Sequence, residues 1–198
     1  MSDESLIDAV RAHAARVFPG RRLETLVWDE GGIGQNLPEF AVVRVAPSAG
    51  AVPAVIASAP SWIHLTAGAS AAPMDDGYGL EFVLLTQAPE KLAIKLLAMV
   101  ANLHADERYP MSLGQTLEVG HGWLPGASAD HLLVALPTAF DPELEWLSDR
   151  TRNVRFIWLV PVTRAEAGFA REHGPIALQE RLGAAGADVA ALVRASVI

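Results

Sequence analysis

Gly77-Tyr-Gly-Leu-Glu-Phe-Val-Leu-Leu-Thr86, then Gln87-Ala-Pro89, then Glu90-Lys-Leu-Ala-Ile-Lys-Leu-Leu-Ala-Met-Val-Ala-Asn-Leu103, is the stretch from which the fold of this chain can be read. Leu80 to Thr86 is short, apolar and partly aromatic or β-branched, as expected of a strand covered on both faces. Pro89 sits where a first helical turn tolerates a residue without an N–H. From Lys91 onward, Leu92, Leu96, Met99, Val100 and Leu103 recur at steps of three and four, with Lys91, Lys95, Asn102 and Asp106 on the other side. That spacing predicts an amphipathic helix with one face to bury. A central strand that feeds such a helix back onto its own sheet organises a single α+β domain.

The totals narrow the function. A chain of 198 residues, 51% of them hydrophobic, is long enough for a sizeable core and unlike a disordered segment. Its formal charge of −8 repels phosphate backbones and anionic lipid and attracts a basic partner. Nucleic acid and membrane are therefore not expected as partners. With no cysteine, disulfides, thiolate catalysis and cysteine-ligated zinc are ruled out. The acidic start Met1-Ser-Asp-Glu-Ser-Leu6 lacks the basic region and apolar run of a signal peptide, and no apolar stretch is long enough to span a bilayer. The expected location is the cytoplasm.

Outward from the central stretch, the elements follow in order. Asp3 to Phe18 reads as a helix with Leu6, Val10 and Val17 on one face, stopped by Pro19-Gly20. His13 shares that face and is expected to be packed and hydrogen-bonded. Strands are expected at Leu23–Asp29, Phe40–Val45, Val52–Ala57 (an edge, among three prolines) and Ser61–Thr66. Beyond the long helix, strands are expected at Leu113–Val119, Ser128–Leu136 and Val154–Val160, with a short helix from Asp141 to Leu147. Thr163-Arg-Ala-Glu166 is a capping box whose helix ends at Gly174-Pro175. Ile176 to Val197 reads as helical with breaks near Gly183 and Gly186, and Leu178, Leu182, Val189, Leu192 and Val193 could cover a sheet face. A mixed or antiparallel sheet with helices packed on it is the expected architecture, one domain over residues 1–198.

No catalytic motif survives inspection. Gly31-Gly-Ile-Gly34 follows a strand, but Asn36-Leu-Pro38 comes next where a phosphate loop requires a helix N-terminus, so a hairpin is expected. Gly68-x-Ser70 has Ala72 where a nucleophile elbow has glycine, which leaves Ser70 as a turn residue. Asp75-Asp-Gly77 lacks the spacing of a calcium loop. Metal-assisted hydrolysis would draw on His121, His131 and Asp130, with His64 and His104 in reserve, yet no His-x-x-x-His or His-Glu-x-x-His pair occurs.

A set of ordered landmarks resembles the suppressor of fused family, specifically its compact bacterial members. Thr66-Ala-Gly-Ala-Ser70 resembles the family's T-x-G-x-S turn, carrying Gly68 and Ser70. Gly79-Leu-Glu81-Phe-Val-Leu84 resembles its strand with a glutamate followed by an aromatic and aliphatics. The Leu92–Leu103 helix, the strand at Gly114 and Ser128–Leu133 come in the family's order. Pro161-Val-Thr163-Arg-Ala-Glu166-Ala-Gly-Phe169 is similar to its P-I-T-x-x-E-x-x-F segment, with Val162 for the usual isoleucine. Gly174 and Leu178 then fall where the family places a glycine and a leucine, and the likeness covers roughly residues 20 to 182.

The resemblance implies a non-enzymatic protein-binding domain with no catalytic residue, metal or other cofactor to carry over. The animal member holds a transcription factor of Hedgehog signalling; bacterial members look like immunity proteins that neutralise toxins. The acidic balance fits a basic toxin as partner, captured faster by opposite charge. A self-associating scaffold, in which Trp123 and Trp146 meet a second copy, and the hydrolase above are the alternatives; the chain is expected to be a monomer or weak homodimer. The partner surface is expected on the Gly120–Gly126 loop, with His121 and Trp123, and on the acidic loop at Asp75 and Asp76. Glu81 and Glu166 are expected to be structural.

Overall fold

The computed structural model describes residues 5–28, 37, 39–48, 60–69, 78–106, 108–120, 126–191 and 193–198. The elements are α1 (Leu6–Val17), β1 (Leu23–Val27), β2 (Ala41–Val45), β3 (Trp62–Ala67), β4 (Gly79–Thr86), α2 (Glu90–His104), β5 (Thr116–Glu118), β6 (His131–Ala135), β7 (Trp146–Ser148), β8 (Asn153–Val162), α3 (Arg164–His173) and α4 (Pro175–Ala184). The expected edge strand Val52–Ala57, the Gly31–Gly34 hairpin, Ser70, Asp75, Asp76, His121 and Trp123 lie outside the described residues.

One mixed sheet runs in the order β1-β2-β3-β4-β8-β6-β5, with β7 also paired to β8. The central pair, β4 and β8, is parallel, from Gly79↔Val154 to Val83↔Trp158. The other pairs are antiparallel. The ten residues of β8 receive β7 at Asn153–Arg155 and β6 at Trp158–Val162, end to end along the edge that β4 leaves free. Pro161 stands beyond Trp158, where the β4 pairing has ended, so its missing N–H removes no bond from that ladder.

Both faces of the sheet are covered, which is why its central strands read as continuous apolar runs. On one face Val43, Leu65, Val83, Leu85, Phe156 and Val160 pack with α1, α3 and α4. On the other, Val42, Phe82, Leu84, Leu132 and Leu159 pack with α2. Seven of the eight residues of β4 are buried, as expected of the central strand.

The structure corrects three local expectations. The buried side of α2 is centred on Ala93, Ile94, Leu97, Ala98 and Ala101, flanked by Leu96 and Val100. Small alanine side chains let the helix axis approach the sheet, so Met99 (43% exposed) and Leu103 (38% exposed) are turned toward the rim. Asp141 caps only one 3₁₀ turn, Pro142–Leu144, before Trp146–Ser148 joins the sheet, because pairing with β8 both satisfies that backbone and buries Leu147. Helix after Pro175 stops at Ala184: Gly186 takes a positive φ of 60°, and the Asp188 carboxylate accepts the N–H groups of Ala190 and Ala191 in a turn. Leu178, Leu182 and Val189 do face the sheet, whereas Val193 is 70% exposed and Leu192 lies outside the described residues. His13 is packed as expected: it stacks on Phe156, lies 3.3 Å from the Leu144 carbonyl and takes a bond from Arg16 at 2.8 Å.

Candidate protein-binding site

Two buried carboxylates fix the ends of the sheet from which candidate loops leave. Pairing of β3 with β4 ends at Leu65↔Val83, and Glu81 fills the opening. Its carboxylate accepts from the Thr66 hydroxyl at 2.5 Å, the Gly68 N–H at 2.9 Å and the Ala69 N–H at 3.1 Å. The same hydroxyl accepts the Phe82 N–H at 2.7 Å, a ladder bond made by a side chain instead of a carbonyl. Gly68 has φ +101°, and a Cβ there would stand 2.8 Å from the Glu39 carbonyl oxygen, so the turn admits glycine alone without a backbone shift. Gly68 and Glu81 thus belong to one hydrogen-bonded unit.

At the opposite end, Thr163 and Glu166 form the expected capping box. Glu166 does more than cap. Arg194 meets it with both terminal nitrogens, at 2.6 and 2.7 Å, and the Val197 N–H adds a bond at 3.0 Å. Arg194 also donates to the Pro161 carbonyl, its N–H reaches Ser128, and Ser196 meets Thr163 through their hydroxyls. Burial pushes the Glu166 carboxyl up, but the Arg194 guanidinium and the Thr163 and Val197 N–H groups outweigh it and hold it below the usual carboxylate range.

The loop between β5 and β6 begins at this end. Val119 and Gly120 both donate to the Asp130 carbonyl, and His131 Nδ1 is 2.7 Å from the buried Asp130 carboxylate. Arg164 spans from Glu118 at 2.7 Å to Asp130 at 3.5 Å. Beside this end of β5 lies a groove of about 450 Å³ between α2 and β5, lined by Met99, Leu103, Leu117 and Val119 with Asp106 and Glu118 at its margin. Its open side chains are apolar: Asp106 is already paired with Arg108 and Glu118 with Arg164, which leaves Met99 and Leu103 as the exposed surface for an apolar partner segment.

The other candidates are dispersed. Among the described residues no group of three or more histidine or carboxylate side chains could hold a metal ion. His104 lies edge-on to Phe82 and close to the Met111 N–H. His64 lies beside Arg44, which stacks over Trp62 at 3.8 Å and pairs with Glu24 and Glu90. Neither ring joins Asp130 and His131, so they supply no support for metal-assisted hydrolysis. The two loops expected to bind leave from opposite ends: Gly79 is level with Val154, whereas Gly120 adjoins Asp130–His131, level with Val162. Along β8 these ends are about 26 Å apart at the usual strand rise. Arg194, Arg44 and the groove were not singled out from the sequence, although a lone arginine in Ala-Val-Val-Arg-Val or in the apolar tail is a signal of a buried pair.

A family model described as suppressor of fused protein matches residues 42–195. The chain belongs to the suppressor of fused family. The match runs past the landmarks, which stop at 182, and takes in Arg194, the partner of Glu166. A suppressor of fused homologue from Neisseria gonorrhoeae has a solved structure 27% identical, with a TM-score of 0.77 over 98% of this chain and 97% of that one. Sufu in the Sufu–Fu complex is 17% identical with a TM-score of 0.74, over 98% of this chain and 92% of that one. Drosophila Suppressor of Fused is 18% identical with a TM-score of 0.70, over 95% of this chain, which spans half the length of the fly protein. At these last two identities the likeness is one of fold. No curated protein matches the chain. Among the described residues no helix is long and apolar enough to cross a membrane.

Proposed function

We propose that this suppressor of fused domain is an immunity protein that captures a basic protein toxin. The reading rests above all on the groove between α2 and β5, where Met99 and Leu103 stay exposed. The charge of −8 favours encounter with a basic surface. Family membership supports a binding role, and the related Sufu has been solved bound to a protein, Fu. His121 and Trp123, which follow the groove residue Val119 closely in the sequence, complete the proposed contact. Asp75 and Asp76 precede Gly79 in the sequence, and Gly79 is at the far end of the sheet, so a contribution from them calls for a partner that spans about 26 Å.

The test is co-expression with the reading frames adjacent to this one. A neighbour whose product is toxic alone and tolerated with this chain, and which co-purifies with it, is the expected result. Trp123→Ala is expected to weaken capture at least tenfold with an unchanged melting temperature, as a central aromatic contact does. Neighbouring products that are harmless, or toxicity the chain does not relieve, would overturn the immunity reading. A second copy of this chain as the only binder, seen by light scattering across concentrations, would replace it with self-association.

A further inference from the structure

The helix α4 does not close fully against the sheet. Gln179, Leu182, Gly183 and Gly186 fall at steps of three and four on one stripe, continued past the end of the helix, and they line a cavity of about 250 Å³ above Trp158. Gly183 in a helix is roughly 1 kcal/mol less favourable than alanine, and a Cβ added there meets nothing within 4 Å. Two polar groups give the cavity its chemistry. Trp158 is only 5% exposed, and among the described residues neither its indole N–H nor the Gln179 amide nitrogen has a hydrogen-bond partner, although both side chains line the space. Buried donors without acceptors are rare in folded proteins, because each forfeits its bond to water. Among the described residues the rest of the wall, apart from Thr138, is aliphatic or glycine, and no charged side chain lines it.

We propose that this cavity is a binding site for an uncharged small molecule with an apolar body and one hydrogen-bond acceptor, such as a carbonyl, presented to Trp158 and Gln179. A cavity of roughly 150 Å³ holds benzene, so this one suits about ten non-hydrogen atoms. Charge is excluded because a buried anion would lack a cation, and a cation would meet two donors. The site is separate from the α2–β5 groove, which lies on the other face of the sheet.

Three probes of equal size decide it: acetanilide, with a carbonyl; butylbenzene, with no acceptor; and phenylacetate, with a charge. Each is titrated into the full ¹⁵N-labelled chain while the indole and side-chain amide signals are followed, the Trp158 signal being assigned by its loss in Trp158→Phe. Acetanilide is expected to move the Trp158 and Gln179 signals saturably and to bind at least fivefold more tightly than either comparator. Trp158→Phe is expected to bring its affinity down to that of butylbenzene. Ala187→Leu, which fills the cavity from its wall, is expected to abolish the shifts at an unchanged or higher melting temperature; Gly183→Leu serves if that variant does not fold. No saturable shift up to the solubility limit, shifts that persist in the filled variant, or equal binding of the three probes would each overturn the proposal.

Discussion

Glu81 and Glu166 are both fully buried, yet they are held in different ways. Glu81 closes a gap between neighbouring strands, and the donors described on it are uncharged: one hydroxyl and two N–H groups within fifteen residues. Glu166 ties the chain end to the start of α3, and its strongest partner is a guanidinium 28 residues away. A carboxylate among neutral dipoles keeps one of its two acceptor oxygens, and leaves no charge unpaired, if it is made into an amide. One that faces a buried arginine leaves a full charge behind when either partner is removed. Burial alone therefore does not rank the two ties; the charge of the partner does.

Arg194→Met is the most direct way to break that ranking. It leaves the Glu166 carboxylate fully buried without its cation, and the expected loss is about 3–5 kcal/mol. Glu81→Gln retains shape and one acceptor oxygen, and its expected loss is smaller, about 1–3 kcal/mol. Urea unfolding of both variants measures the difference. Equal losses, or a larger one at Glu81, would show that the distant tie is no stronger than the local one. The double variant Glu166→Gln with Arg194→Met is expected to recover part of the loss, since no unpaired charge remains.

The pH must be chosen for that comparison, because His64 adds its own dependence. Burial and the neighbouring Arg44 lower its pKa to about 4, with Glu24 and Glu90 already engaged on the far side of that arginine. An unfolded chain takes up this proton near pH 6.5, whereas the folded chain resists it until about pH 4. The unfolded state then binds more protons, so stability falls as the pH drops through that window, by about 3 kcal/mol in all. Glu166 acts lower, as its depressed carboxyl loses its contribution only once the pH falls beneath the ordinary carboxylate range. A stability profile between pH 7.5 and 4 checks this: His64→Leu is expected to flatten the slope, and a slope that survives it assigns the loss to other groups. Glu81 and Glu166 are best compared above pH 6.5.

How far these ties could be read from the sequence depends on their range. The capping box spans four residues, and a reader needs only Thr163-x-x-Glu166 to see it. Arg194 lies outside any local window, so its pairing with Glu166 was invisible even though both residues were in view. Strands were legible because two covered faces impose a continuous apolar run. The face of α2 was not, since alanine carries little hydropathy yet decides how closely a helix can lie. A stripe drawn through the largest side chains selected Met99 and Leu103 and passed over Ala93, Ala98 and Ala101. The expected helix over Asp141–Leu147 overruns the strand that starts at Trp146, because Asp141-Pro142 is a sound helix start that tertiary pairing cuts short. Of the proposed binding surface, the acidic balance and the Gly120–Gly126 loop were legible; the groove beside them required knowledge of which side of α2 faces out.

That rotation of α2 supplies the smallest expected effect and the sharpest contrast with the buried ties. Ala98 is fully buried and its neighbour Met99 is 43% exposed, so a single residue step, about 100° around the helix, separates a packing position from a surface one. Ala98→Leu forces extra volume between helix and sheet and is expected to cost about 1–3 kcal/mol. Met99→Ser removes an apolar side chain that the fold does not enclose, and its effect on stability is expected to stay within about 0.5 kcal/mol. If the groove takes a partner, the same Met99→Ser change lowers capture of the toxic neighbouring product about tenfold, because an apolar contact is lost where the two proteins would meet. A loss of stability at Met99 as large as at Ala98 would mean the methionine belongs to the core. The groove would then be a seam in the packing, and the proposed partner surface would retreat to the loop that carries Trp123.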